Sequence, residues 1–137
     1  NGAHDFLIEH GIVPDYACGL DPVYENPYRL KNAQTVYLVA SQCKPAVFDS
    51  LEGHQVVLWH AMLNEDLSFF RGQCPIWGGS TSGLRAITLF YAFGIREMYL
   101  YGYDASFVGD KRRANGDTAP DNTFSTECAG RIFRTCP

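Results

Sequence analysis

The sequence predicts an α/β domain of the Rossmann-like class, with an open, mostly parallel sheet and helices on both of its faces. Two apolar runs, 35–40 and 55–59, lack the alternation of a half-exposed strand and are typical of central parallel strands. A helical pattern from Ser82 to Phe93 is apolar on nearly every side, which indicates a largely buried helix. Strands and helices alternate along the chain, and this order favours a parallel sheet.

The other predicted elements continue this alternation. In chain order they are the end of a helix at 6–10, a strand at 16–20, helices at 25–32 and 45–51, a lid or short helix at 60–73, and a strand at 98–101. The tail departs from the pattern, because the runs 123–127 and 131–135 flank Ala129-Gly130 and predict an antiparallel hairpin. The polar stretch 108–122 before the hairpin is expected to be a loop.

Length, composition and charge restrict the classes of protein to which the chain can belong. With 137 residues, 46% hydrophobic and 19% charged, it fits one globular domain, expected to span 1–137. A net charge of −4 disfavours nucleic-acid binding, and the basic run 111–113 is more typical of a solvated loop than of a phosphate site. No apolar run is long enough to span a bilayer and no secretory signal opens the chain, so a cytoplasmic location is expected.

The cysteines and histidines argue against a structural metal. Five cysteines, at positions 18, 43, 74, 128 and 136, include no C-x-x-C pair, and the four histidines form no H-E-x-x-H motif. Zinc, haem and a secreted disulfide framework are therefore not expected, whereas buried free thiols are. His54 and His60 suit acid–base chemistry, but nothing in the sequence pairs either with a nucleophile, so both are interpreted as structural.

The strongest candidate site is the glycine-rich loop Gly78-Gly79-Ser80-Thr81-Ser82-Gly83, which leads into the apolar helix. Its glycines let the backbone approach a ligand, and one of its hydroxyl residues is expected to cap the helix. Free amides and the helix dipole favour an anion there, so the loop predicts a nucleotide-phosphate site. An ordinary capped helix after a glycine turn is the alternative. The loop has neither the Walker A lysine nor the spacing of G-x-G-x-x-G.

Two carboxylates and a tyrosine are expected near this loop, beyond the carboxyl ends of parallel strands. Asp21 and Asp104 each follow a predicted strand, where a carboxylate accepts from a ribose hydroxyl or holds Mg²⁺ near phosphates. They are the candidate catalytic and Mg²⁺-binding residues, with a turn or helix cap as the alternative for each. Tyr103, next to Gly102, is a candidate to stack on a base or donate a proton, or else is simply a strand-end aromatic.

Several segments together resemble the MptE-like family, typified by the archaeal 6-hydroxymethylpterin diphosphokinase. The resemblance rests on Gly78 to Ala86, Phe93 to Ile95, Met98 to Asp104 and, nearer the amino end, Gly11 to Pro22. The stretch Ala129 to Thr135 is similar to the C-terminal hairpin of bacterial and phage-borne members. The resemblance implies a nucleotide-binding transferase with ATP-dependent, diphosphokinase-like phosphoryl transfer. It also implies a nucleotide and a small-molecule acceptor as partners, and it allows a homo-oligomer.

The same block is similar to bacterial sialyltransferases that use a CMP-sugar and to flagellar motility accessory factors. In the sialyltransferases the matching loop holds the nucleotide phosphate, which implies that role for Ser80, Thr81 and Ser82, and the segment after the last strand implicates Gly102 and Tyr103. Their catalytic histidine has no counterpart after His60, and the relatives' first strand with its Gly-x-Gly-Pro-Ser loop is absent here. We therefore expect a fragment with an incomplete pocket. A nucleotide-sugar glycosyltransferase and a non-catalytic nucleotide- or sugar-binding module stay open as alternatives.

Overall fold

A computed structural model of the chain describes residues 2–23, 25, 27–62, 72–73, 75–103 and 124–135. Contacts between residues divide the molecule into two compact units, essentially Ala3–Met98 and Tyr99–Pro137. The predicted loop at 108–122 and most of the segment 60–73 lie outside the described residues. No helix in the described part of the chain is long and apolar enough to cross a membrane.

The first unit is built on a sheet of three parallel strands. These are β1 (Tyr16–Gly19), β2 (Val36–Ala40) and β3 (Gln55–Trp59), and they lie side by side in the order β1-β2-β3. Beyond the end of β3 the ladder continues through a single parallel bridge between Ala61 and Ile76. The predicted parallel sheet is confirmed by the pairing of β2 with β1 and with β3. The central strand β2 is buried along nearly its whole length, as expected, whereas β3 is exposed at four of its five residues and is not the buried strand that its apolar run predicts.

Three helices accompany this sheet in the described residues. They are α1 (Ala3–Glu9), α2 (Pro45–Ser50) and α3 (Ser82–Ala92). The proline of α2 stands in the first turn, where its missing amide hydrogen removes no helical hydrogen bond. The predicted boundaries of α2 and α3 are close to those observed, whereas α1 begins three residues before the predicted start. The described architecture is thus a mixed α/β arrangement.

The core is formed by β2 and the segments around it. Its buried members include Tyr28, Tyr37, Val39, Val47 and Leu51, each of which is at most 1% exposed. The helix α3 contributes Leu89, which is 1% exposed, and its Phe90 ring packs edge-on against Tyr16 of β1 with centroids 5.6 Å apart. All members of the buried hydrophobic cluster belong to the first unit.

The helix predicted at 25–32 is wrong: the described residues of this segment form bends and irregular backbone. Its amides bond to side chains instead of to helical carbonyls. The carboxylate of Asp5 accepts from the backbone N–H of Arg29 at 3.1 Å and of Leu30 at 3.3 Å, and the Tyr37 hydroxyl accepts from that of Asn32 at 2.8 Å. These long-range bonds satisfy the donors that a helix would otherwise use.

The strand predicted at 98–101 is also not formed, because residues 95–103 are irregular and enter no ladder. Tyr99 is 76% exposed and Tyr101 is 86% exposed, which is the reverse of the burial expected of an apolar strand in a parallel sheet. An apolar run specifies a strand only where a neighbouring strand completes its hydrogen bonds.

The second unit contains an antiparallel hairpin, as predicted. Its strands are β4 (Phe124–Cys128) and β5 (Arg131–Thr135), and Phe124 lies opposite Thr135 in the register. The two-residue turn between them has positive φ at both positions, 52° at Ala129 and 71° at Gly130. That combination is typical of a type I′ turn, whose twist matches that of the flanking strands.

Candidate functional site

The candidate site lies at the carboxyl edge of the parallel sheet. Because the strands are parallel, their carboxyl ends meet at one edge, where ligands of open α/β sheets bind. Asp21 lies two residues beyond β1, Ser41 directly follows β2, and His60 directly follows β3. The glycine-rich loop 78–83 begins two residues after the bridge at Ile76. The edge therefore carries a carboxylate, a hydroxyl, an imidazole and a helix N-terminus.

The loop forms the start of α3. Thr81 is the N-cap residue, and its hydroxyl oxygen accepts from the Leu84 amide at 3.2 Å. The expectation that a hydroxyl residue of this loop caps the helix is thus met by Thr81. Within the described part of the chain, the amides of Gly79 and Ser80 donate to no protein acceptor. Two N–H groups beside a helix N-terminus are thereby left to solvent or a ligand.

The two glycines of the loop are required by its packing on α3. A Cβ at Gly78 would lie 2.3 Å from Thr88 Oγ1, and one at Gly79 would lie 2.6 Å from Leu84 Cβ. Gly78 also has a φ of +155°, a conformation that side chains rarely adopt. The absence of side chains at the two glycines therefore allows the loop to pack against the first turns of the helix. Larger residues there would displace the loop whether or not a ligand binds.

A buried arginine lies behind the loop. Arg85 is 3% exposed, and its stem passes Gly78, because a Cβ there would lie 3.2 Å from Arg85 Cδ. Its Nη1 donates to the carbonyls of Met62 at 2.9 Å and Ile76 at 2.7 Å, while its buried Nε has no hydrogen-bond partner among the residues that the structure describes. Among the described residues it forms no ion pair. The apolar pattern of the helix predicts burial in general, but it does not show that the Arg85 cation itself is buried and bonded to backbone carbonyls.

The candidate Mg²⁺ and catalytic residues are only partly described. Asp21 is half-buried, and its Oδ1 accepts from the Val23 amide at 2.9 Å, which makes it a turn-forming residue as well. Asp104 lies outside the described residues. Gly102 and Tyr103 belong to the second unit, and Gly102 has a φ of 72°. No group of three or more His, Cys, Asp or Glu among the described residues is arranged to hold a metal ion.

A serine–histidine pair is present that the sequence did not predict. The Nδ1 atom of His60 lies 2.9 Å from the Oγ atom of Ser41. The two residues are 19 positions apart and meet because β2 and β3 are neighbours with parallel register, in which Ala40 pairs with Trp59. The sequence does indicate that each residue directly follows a strand. It does not indicate that the two strands are adjacent, which only the strand order in the structure shows.

An exposed tryptophan and a cavity complete the surroundings. Trp77, immediately before the loop, is 55% exposed, whereas the other tryptophan, Trp59, is 5% exposed. A cavity of about 380 Å³ lies between β3 and α3; its lining residues are Val57, Leu58, Trp59, His60, Gln73, Ile76, Leu89 and Phe93. The volume is in the range of small-molecule sites. The lining includes none of the residues predicted for the phosphate site, but it includes His60.

The thiols of this region are unsuited to nucleophilic chemistry. Burial raises the pKa of Cys18 to about 11, and burial likewise raises the pKa of Cys43. Cys18, Cys43 and Cys128, the cysteines described, form no disulfide. A thiol whose pKa is raised holds its proton at neutral pH, so it is a poor nucleophile and a poor metal ligand.

The family described as 6-hydroxymethylpterin diphosphokinase MptE-like matches residues 1–110. The chain belongs to the MptE-like family. No curated protein and no solved structure matches it. The MptE-like match spans the parallel sheet, the loop 78–83, the Ser41–His60 pair and both candidate aspartates, and it ends before the hairpin. The predicted membership is confirmed, while the similarity to sialyltransferases stays a prediction.

Proposed function

We propose that this chain binds the phosphates of a nucleotide on the loop 78–83 and transfers a diphosphoryl group from ATP to a hydroxyl-bearing small molecule. The observation that carries the proposal is the burial of the Arg85 cation at the N-terminus of α3. The family description, a diphosphokinase, supports the reaction class. The proposed overall arrangement is Rossmann-like, with further helix or strand cover on the sheet.

The position of Arg85 is electrostatically unfavourable in the free protein. A helix N-terminus carries partial positive charge, so a cation in the first turn is repelled where a carboxylate would be attracted. Burial adds a desolvation penalty, which the two carbonyls that bond Nη1 offset only in part. A phosphate on the neighbouring Gly79 and Ser80 amides would stabilise both the guanidinium and the helix dipole. The site therefore has a local reason to bind an anion.

The proposed reaction depends mainly on positioning and charge neutralisation. The acceptor oxygen attacks the β-phosphorus of ATP, the bond to the α-phosphate oxygen breaks, and AMP leaves. The loop amides bind the negative oxygens, and the Arg85 guanidinium behind the loop adds positive charge that stabilises them. Mg²⁺, when bound, neutralises charge on the phosphates, and we assign its protein ligands to Asp21 and Asp104. Gly102 and Tyr103 are assigned to the nucleotide, with the tyrosine stacking on the base or donating a proton.

Tryptophan fluorescence provides the binding test, since Trp77 is exposed next to the loop and Trp59 is buried. ATP with Mg²⁺ is expected to change the emission of the wild-type chain, and a Trp77→Phe variant reports the share due to Trp77. Parallel titrations use CMP without metal and ATP without Mg²⁺. A response to CMP alone would favour the glycosyltransferase alternative. No response to any nucleotide would contradict the proposal.

Two variants with matched controls test the proposed site. Ser80→Glu puts a carboxylate among the loop amides and should abolish ATP binding, whereas Ser80→Gln, of similar size but neutral, should retain it. Arg85→Met should weaken ATP binding at least about tenfold. Its control is Arg96→Met, which removes an exposed cation at the other end of α3, stacked 3.9 Å from the Tyr91 ring. Equal affinity in the Glu and Gln variants would contradict phosphate binding at the loop.

A further inference from the structure

The hydrogen bond between Ser41 and His60 lies at the carboxyl edge of the sheet but outside the proposed phosphate loop. Ser41 is exposed, so its hydroxyl reaches solvent, and the His60 ring behind it is half-buried. The 2.9 Å separation of Oγ and Nδ1 is that of a well-formed hydrogen bond. When a serine hydroxyl is hydrogen-bonded to an imidazole nitrogen, the histidine can accept the serine proton. It can also accept, by way of the serine, a proton that another hydroxyl gives up.

The backbone fixes both residues of the pair. The Ser41 amide donates to the Trp59 carbonyl at 2.8 Å, which continues the β2–β3 ladder past the strand ends. The His60 carbonyl accepts from the Ile76 amide at 2.7 Å, which ties His60 to the segment that leads into the loop. The pair is thus held by three adjacent segments of parallel backbone.

The spacing of these segments suits a transfer reaction. Neighbouring strands are about 4.8 Å apart, so the end of β2 and the start of the loop segment are separated by about 10 Å, with the end of β3 between them. A diphosphate bound on the loop would lie beside the end of β3. The acceptor hydroxyl that attacks it would then lie above the end of β3, on the side nearer to Ser41. The pair therefore stands on the acceptor side of the proposed phosphate site.

We infer that Ser41 and His60 form a proton relay for the acceptor hydroxyl; this inference rests on the proposed function. As the acceptor oxygen bonds to the β-phosphorus and AMP departs, the acceptor proton passes to Ser41 Oγ. The Ser41 proton passes in turn to His60 Nδ1, which leaves a neutral serine and an imidazolium. The relay requires that Nδ1 carry no proton before the reaction and that Ser41 be the donor in the observed bond.

A purely structural role explains the pair less well. A hydrogen bond with an exposed partner contributes little net stability, because water replaces it when it breaks. Backbone bonds already join the same two strand ends without the side chains. The side-chain bond consequently adds little to the fold, whereas it sets the proton position on a histidine at the edge where ligands bind.

The kinetic experiment measures AMP release from ATP and Mg²⁺ with 6-hydroxymethylpterin as acceptor, next to ATP binding by fluorescence. Ser41→Ala and His60→Gln should each lower kcat about 100-fold or more while ATP affinity stays unchanged. The double variant should be no slower than the worse single variant, because the two act as a unit. Ser41→Thr, which keeps the hydroxyl, should recover most of the rate.

His54→Gln is the matched control for His60→Gln. His54 stands at the opposite end of β3, is equally half-buried, and its Nδ1 lies 3.2 Å from the Glu52 carbonyl oxygen. Its replacement should leave kcat unchanged. Full activity in Ser41→Ala, or additive losses in the double variant, would overturn the relay.

Nitrogen-15 NMR of the histidine rings tests the relay without turnover, and so separates its failure from failure of the proposed function. In the unliganded wild-type chain the His60 Nδ1 resonance should be that of an unprotonated ring nitrogen accepting a hydrogen bond, and Ser41→Ala should move it. A protonated Nδ1 in the neutral ring makes histidine the donor and overturns the relay, even if AMP is produced. Absence of ATP binding in the wild type would instead contradict the proposed function.

Discussion

The carboxylate of Asp5 accepts hydrogen bonds from the side chains of His4 and Arg29 and from the backbone amides of Arg29 and Leu30. Burial by itself raises the pKa of this carboxyl, but the hydrogen bonds from His4, Leu30 and Arg29 together outweigh burial and lower the pKa below 3.8. One side chain of α1, that of Asp5, thereby fixes the irregular segment 28–32. Because the amides of Arg29 and Leu30 donate to this carboxylate, they are not available for helical hydrogen bonds, which explains why the segment is not a helix.

Replacement of Asp5 by Asn is expected to lower the free energy of unfolding by about 3 kcal/mol. The amide has one acceptor oxygen in place of two and presents an NH₂ group to donors that were bonded to a carboxylate. Urea unfolding followed by circular dichroism measures the change. Asp49→Asn, at an exposed position of α2, is the control and should have almost no effect.

Acid should weaken the fold through the same residue. Because the pKa of Asp5 is lowered in the folded state, its contribution is fully present above the unfolded value near 3.8 and is lost as the pH falls through the folded value. The free energy of unfolding should therefore decline below about pH 4 more steeply in the wild type than in Asp5→Asn. Parallel pH profiles of the two proteins would exclude Asp5 as a source of the acid sensitivity.

At the scale of elements, sequence patterns succeeded where the stabilising contacts are local. The apolar runs of β2 and β3, the periodicity and capping loop of α3, and the turn residues of the hairpin are all signals that lie within the element itself. The helix expected at 25–32 failed because Asp5, more than 20 positions away, captures its amides. The sequence did not predict the Ser41–His60 pair for a related reason, because the two residues are neighbours only through the order of the strands in the sheet.

The hairpin turn contains a residue that is poorly suited to its conformation. Ala129 has a φ of 52°, and a left-handed conformation costs a residue with a Cβ atom about 1–2 kcal/mol. Asparagine tolerates this conformation and Asn-Gly is the preferred pair for a type I′ turn, so Ala129→Asn should stabilise the hairpin by up to about 1 kcal/mol. Amide hydrogen exchange of β4 and β5 measures the change. Ala129→Val should have the opposite sign, and faster exchange in the Asn variant would contradict the assigned turn.

At the scale of the whole molecule, stability and the best described site are concentrated in the first unit. It contains the entire buried hydrophobic cluster, the loop 78–83, Arg85 and the Ser41–His60 pair. The described side chains of β4 and β5, in the second unit, are exposed. The family match extends to residue 110, however, and therefore includes the candidate residues Gly102, Tyr103 and Asp104.

A chain that ends at Met98 distinguishes the contributions of the two units. We expect it to unfold cooperatively in urea, with a free energy of unfolding within about 1 kcal/mol of that of the full chain, because it loses no residue of the buried cluster. ATP binding should weaken if Gly102, Tyr103 and Asp104 contact the nucleotide as proposed, and the Mg²⁺ dependence of binding should diminish with Asp104 absent. The control is a chain that ends at Asp110, which removes the hairpin but keeps those residues. Unchanged ATP affinity in the shorter chain would confine the nucleotide site to the first unit, and loss of cooperative unfolding would contradict the assignment of the core.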